Sequence, residues 1–212
     1  WKTVIALGNA LDQSQMRAAA AKAIPVRRGS PQLLAVGRMR ADKGFDRVID
    51  VYRRVRARLP EAALTLIGDG PERQRLEALA ASGDGERIHF TGPLYDETAL
   101  APHFLGADAF VLAGAAGLSI NHALAYTLPV VAFPRSPAGP YHHPEIEYVV
   151  PGRSGLLVDC LDAEAMATTI VEAHATGRLA ALRKALETDP VAPTLDDVAA
   201  NFGKLLAAVD PG

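Results

Sequence analysis

Short apolar runs alternate with amphipathic stretches along most of this chain, and their spacing predicts its elements. Residues 33–36, 63–67, 87–90, 108–112, 130–133 and 155–158 are brief runs, mostly apolar, as strands buried on both faces should be. Between them, apolar residues recur three and four positions apart. Phe45, Val48, Ile49, Tyr52 and Val55 form the inward stripe of one helix, whose outer face carries Arg47, Arg53, Arg54 and Arg56. Residues 72–81, 97–105 and 162–175 predict further helices. Leu118, Ile120, Ala123 and Leu124 mark another, which Pro129 stops. Residues 1–7 read as a strand, and from Gly177 onward the chain is helical with no further strand. This alternation predicts an α/β fold, a doubly wound parallel sheet wrapped by helices and followed by C-terminal helices. Ligands of such a sheet sit beyond the C-terminal ends of its strands, where every glycine-bearing turn of this pattern falls. Residues 136–144, with three prolines and a glycine, read as a loop.

Composition narrows the classes. The 212 residues are 49% hydrophobic and 22% charged, ordinary for a domain with a sizeable core. A formal net charge of −2 gives no reason to expect nucleic acid as a partner. The single cysteine, Cys160, excludes an internal disulfide framework, fits a reducing compartment and reads as a small buried residue. No apolar stretch approaches membrane-spanning length, and no signal-peptide pattern opens the chain. The Arg-rich helix face reads as a solvated surface, with lipid headgroup contact as the lesser alternative. The abrupt opening on Trp1, already in a strand pattern, reads as a fragment of something longer.

Two places could carry chemistry. The stretch DAFVLAGAAGLSINHALAYTLPVV, residues 108–131, is strand, glycine-rich turn, helix, strand. The first N–H groups of such a helix have no internal partner, so an anion at Gly117, Leu118 and Ser119 would satisfy them. An ordinary βα connection with glycine chosen for turn geometry is the alternative. Arg38 directly follows the first strand of the rhythm, and Lys43 opens the next helix across the loop RMRADKGF. A planar fork and a mobile point charge complement each other on phosphate oxygens, so these two cations and the Gly117 turn form a candidate diphosphate site. There is no G-x-S-x-G elbow and no G-x-G-x-x-G in the required context, so hydrolase and NAD-binding readings lack support.

The segments LLAVGRMRADKGFDRVIDVYRRV, LTLIGDGPERQRLEALA, RIHFTGP, GLSINHALAYTLPVVAF and GRSGLLV, in that order, resemble the C-terminal half of a GT-B glycosyltransferase. More narrowly they resemble the retaining family 4, the glycosyl transferases group 1, over residues 32–158. The opening GNALD is similar to the passage from the N-terminal acceptor domain into the donor-binding domain. The resemblance implies an interdomain segment with a first strand or helix at 1–30, a Rossmann-like nucleotide-sugar domain at 31–176, and helices at 177–212 packing back toward the domain junction. It implies Arg38 and Lys43 on the donor diphosphate and Gly117, Leu118 and Ser119 on its distal phosphate. It also implies Thr91, Gly92, Pro93 and Leu94 around the base, with Gly68 and Asp69 bordering the cleft. The implied reaction moves a sugar from a nucleoside diphosphate donor to a polysaccharide or glycolipid acceptor, with retention, no metal and no further cofactor. The acceptor half would be absent here, and with it any membrane contact of a cytoplasmic enzyme.

One departure stands out. The two glutamates that the family usually spaces as E-x7-E fall on Gly114 and His122. The run GLSINHALAY followed by HHPEIEY looks like a recurring variant, in which Asn121 and His122 take the ribose contacts and Glu145 or Glu147 supplies the carboxylate. His142, His143, Glu145 and Glu147 also cluster as a metal site might, but zinc sites generally take ligands from more than one segment or from a helical i, i+4 pair, and nothing else in the sequence supplies them. Two other readings stay open: a non-catalytic nucleotide-sugar-binding module, and another GT-B enzyme such as a nucleotide-sugar epimerase.

Overall fold

A computed structural model describes residues 9–82, 87–115, 117–136, 139–158 and 161–209. The expected strand at 1–7 and Cys160 lie outside the described residues. Six strands form one parallel sheet: β1 Gln32–Val36, β2 Ala63–Ile67, β3 Ile88–Gly92, β4 Ala109–Leu112, β5 Val130–Ala132 and β6 Gly155–Leu157. Their order is β3-β2-β1-β4-β5-β6, the doubly wound arrangement with its switch point between β1 and β4. In register, Leu33 and Leu34 of β1 stand beside Leu64 and Thr65 of β2 on one side and beside Ala109 and Phe110 of β4 on the other.

Eight helices accompany the sheet among the described residues: α1 Gln13–Ala20, α2 Phe45–Arg58, α3 Arg73–Ala81, α4 Glu97–Gly106, α5 Ser119–Ala125, α6 Ala163–Ala175, α7 Arg178–Thr188 and α8 Leu195–Val209. Alternation along each strand divides the core between the two faces. Leu33, Ala35, Val111 and Val131 pack with α2, α3, α6 and α7 on one face. Leu34, Phe110, Leu112, Val130 and Ala132 pack with α1, α4 and α5 on the other. The predicted elements and the observed ones agree within a few residues at their ends, where caps decide. Asp96 caps α4 by accepting from the Thr98 amide, and Asp162 caps α6 through the Glu164 amide.

Residues 136–144 are loop as expected, but Pro144–Tyr148 winds into a 3-10 turn that sequence periodicity did not show. The Arg-rich face of α2 is largely engaged. Arg54 and Arg58 both pair with Glu164 of α6, and Arg53 donates to the Leu79 carbonyl. Among the described residues no helix is long and apolar enough to cross a membrane.

Candidate donor cleft

The loops that leave β1 and β4 close on each other at the switch point. The Ala115 amide donates to the Asp42 carbonyl at 2.8 Å, and Lys43 Nζ donates to the Ala115 carbonyl at 3.0 Å. This approach leaves no room for side chains. A Cβ on Gly114 would run into the Lys43 carbonyl group and come within 2.6 Å of the Gly44 nitrogen. Gly44 itself has φ +64°, and a Cβ there would lie 2.6 Å from the Ala113 oxygen. The two glycines are thus reciprocal, and the place where the resemblance puts a glutamate is filled by backbone.

Above this junction lies a cavity of about 210 Å³ lined by Gly37, Arg38, Lys43, Ala115, Gly117, Leu118 and Ser119, with Phe45 and Val48 at its apolar base. Among the described residues, the amides of Gly117, Leu118 and Ser119 have no hydrogen-bond partner, and neither does the exposed Arg38 guanidinium. Two cations and three open donors therefore border one pocket, which suits an anion. The α5 helix is only seven residues long, so its dipole adds little to what the free amides and cations provide.

A second cavity of about 520 Å³ shares Val36, Gly37 and Arg38 with the first and extends along Gly68, Asp69, Gly70, Pro93, Leu94 and Tyr95. The turns after β1 and β2 are laced together here. The Met39 amide donates to the Asp69 carbonyl at 2.8 Å, and the Glu72 amide returns to the Met39 carbonyl at 3.0 Å. Together the two cavities form a cleft with a cationic end at β4 and, at β2 and β3, an end with an apolar rim of Pro93, Leu94 and Tyr95 beside Asp69, the two joined at Arg38. Tyr95, 90% exposed on that apolar rim, was not singled out from sequence. An aromatic directly after TGPL was the available signal.

Of the residues nominated from sequence, Arg38, Lys43, Gly117, Leu118 and Ser119 line the first cavity, while Arg38, Gly68, Asp69, Pro93 and Leu94 line the second. Thr91, Gly92, Asn121, His122, Glu145 and Glu147 line neither; the Thr91 hydroxyl donates to the Gly92 carbonyl. Asn121, 1% exposed, donates to the Asn9 carbonyl, and Asn9 donates in turn to Glu145 at 2.7 Å. Asn121 Oδ1 and Glu145 Oε2 are buried without partners, two acceptors waiting for donors. Glu147 is 75% exposed beside Arg135, so the two nominated glutamates stand apart. His142 is buried against the Phe133 carbonyl; burial pushes its pKa down, and the nearby Arg135 and Lys43 charges add to this. Among the described residues, no three His, Cys, Asp or Glu side chains converge on a metal-sized site.

His122 is held by a residue that the sequence did not mark. Its Nε2 lies 2.7 Å from Glu97 Oε1 of α4, while Tyr126 donates its hydroxyl to Glu97 Oε2 at 2.7 Å. Burial and this carboxylate raise the Tyr126 pKa far above its ordinary value, so the hydroxyl remains a donor.

Fold and cleft define a doubly wound α/β domain with an anion-ready pocket at its switch point. The chain belongs to the glycosyl transferases group 1 family, whose model matches residues 30–176. It is 32% identical over 162 residues to a GDP-mannose-dependent alpha-(1-6)-phosphatidylinositol monomannoside mannosyltransferase of Mycolicibacterium smegmatis, covering 71% of this chain and 40% of that protein. It is 34% identical over 154 residues to the lipopolysaccharide core biosynthesis glycosyltransferase LpsE of Rhizobium meliloti, covering 71% of this chain and 41% of that protein. Among solved structures, Anabaena HepE in complex with UDP superposes with a TM-score of 0.72 at 18% identity, covering 97% of this chain and 57% of that one. The chain spans about 40% of the length of these two curated relatives.

Proposed function

We propose that this chain is the donor-binding part of a family-4 glycosyltransferase. It would take a nucleoside diphosphate sugar and transfer the sugar, with retention and without a metal, to a polysaccharide or glycolipid acceptor. The observation that carries this reading is the convergence of Arg38, Lys43 and the open amides of Gly117–Ser119 on one cavity that continues into the lobe of Asp69, Leu94 and Tyr95. The diphosphate occupies the cationic end, and the base lies along the apolar rim. Charge builds on the departing diphosphate as the glycosidic bond breaks. The two cations and the open amides stabilise that charge. The two curated relatives are a phosphatidylinositol monomannoside mannosyltransferase and a lipopolysaccharide core biosynthesis glycosyltransferase, which supports the acceptor class.

On this reading residues 1–30 lead in from the acceptor domain, 31–176 bind the donor, and 177–212 pack back toward the junction. Leu195, Phe202 and Leu206 of α8 are at least half exposed, as residues awaiting another surface would be. The protein would work in the cytoplasm and touch the inner face of the membrane only through its acceptor half.

Of the two candidate carboxylates, Glu145 is the one with a buried, unpartnered oxygen, although it lines neither cavity. In protein that includes the acceptor domain, Glu145→Gln should lower the transfer rate by about 10²-fold or more while nucleotide affinity stays unchanged. Full transfer activity in both Glu145→Gln and Glu147→Gln would remove the carboxylate assignment. No transfer by the unaltered protein to any acceptor would favour a binding module, and donor isomerisation without acceptor an epimerase.

A further inference from the structure

We propose that Glu97 is a positioning residue that fixes His122 as an acceptor for the ribose hydroxyls of the donor nucleotide; this rests on the nucleotide-sugar reading above. Glu97 is the first residue of α4, and His122 lies one turn into α5. Both helices begin at the C-terminal edge of the sheet and pack on the same core cluster, so the pair lies near the edge where ligands of such a sheet enter, beside the two donor cavities rather than in their lining. Tyr95, two residues before Glu97, lines the second cavity, and Leu118, one turn before His122, lines the first. A ribose must lie between base and diphosphate, and its vicinal hydroxyls need acceptors. Asp69 is the carboxylate lining the second cavity, but it accepts from the Gly70 amide and is 54% exposed.

The chemistry of the pair suits that task. In the neutral ring Nε2–H donates to Glu97, and Nδ1 is then the acceptor. Nδ1 has no partner among the described residues. The ring is held flat against Phe104, with centroids 5.7 Å apart and planes 18° apart, so the acceptor direction is fixed. Neither side chain is sealed off: His122 keeps 23% and Glu97 21% of its surface accessible. Glu97 borders a further cavity of about 600 Å³, which meets the second cavity at Tyr95.

Calorimetric titration of UDP and GDP, each beside its 2′-deoxy counterpart, tests the assignment. The unaltered chain should prefer the ribonucleotide by about tenfold, the worth of one well-placed hydrogen bond. Glu97→Gln should bring that preference to near unity without weakening the 2′-deoxy ligand. His122→Phe, which preserves the ring stack, should do the same. Tyr126→Phe removes the other partner of Glu97 and should keep the preference. A full ribose preference in both Glu97→Gln and His122→Phe would overturn the inference, as would its absence in the unaltered chain. Binding of neither nucleotide by the unaltered chain would overturn the donor reading along with it.

Discussion

Gly44 and Gly114 matter because of what presses against them. Backbone meets backbone there, and the contact brings the Lys43 ammonium to the Ala115 carbonyl, beside Gly117. A methyl group at position 114 must push the Lys43 main chain away, since the atoms it meets belong to no flexible side chain. Gly114→Ala should therefore cost about 1–3 kcal/mol in denaturant unfolding and weaken nucleotide binding as Lys43 is displaced. Unaltered stability and affinity would show that the loops can separate freely. The sequence showed a glycine turn beside a cation, but it could not show why glycine is required. The reason lies in a contact between segments 72 positions apart. Glu97 escaped notice for the same reason: its partner His122 is 25 residues distant, and a glutamate opening a helix looks like dipole compensation.

Elements were more legible than contacts. Strands buried on both faces read as apolar runs, and the amphipathic α2 showed its stripe, so periodicity alone placed most boundaries. The exceptions are physical. Pro144–Tyr148 is too short to carry a period, and the engagement of the α2 arginines depends on Glu164, more than a hundred positions away. Arg183 belongs to the same class. It reaches from α7 to the Phe104 and Ala107 carbonyls, at and just beyond the C-terminal end of α4, and satisfies acceptors the helix leaves open. Burial lowers its pKa, with Asp108 and Glu187 acting in the opposite sense. Arg183→Met keeps the apolar stem and orphans those carbonyls, so unfolding should become easier by about 1–3 kcal/mol. Nucleotide affinity should not change, because α4 meets the cleft at its other end. A drop in affinity equal to that of a cleft variant would show that α4 shifts as a unit.

In the whole molecule, it is the sheet order that brings the two loops together. Only at a switch point do the loops after two neighbouring strands lead to helices on opposite faces, opening a crevice between them. Here the β1 loop supplies Arg38 and Lys43, and the β4 loop supplies three open amides. The turns after β2 and β3 extend the crevice past Arg38 along Gly68, Asp69, Pro93 and Leu94. The most direct measurement is calorimetry of UDP and GDP against the chain and its Arg38→Ala/Lys43→Ala variant, with circular dichroism to confirm that both are folded. Binding to the unaltered chain is expected, with a loss of about 100-fold or more in the variant, since two charge-assisted contacts to phosphate are removed. Equal affinity in the two would mean that the diphosphate does not lie at the β1–β4 crevice.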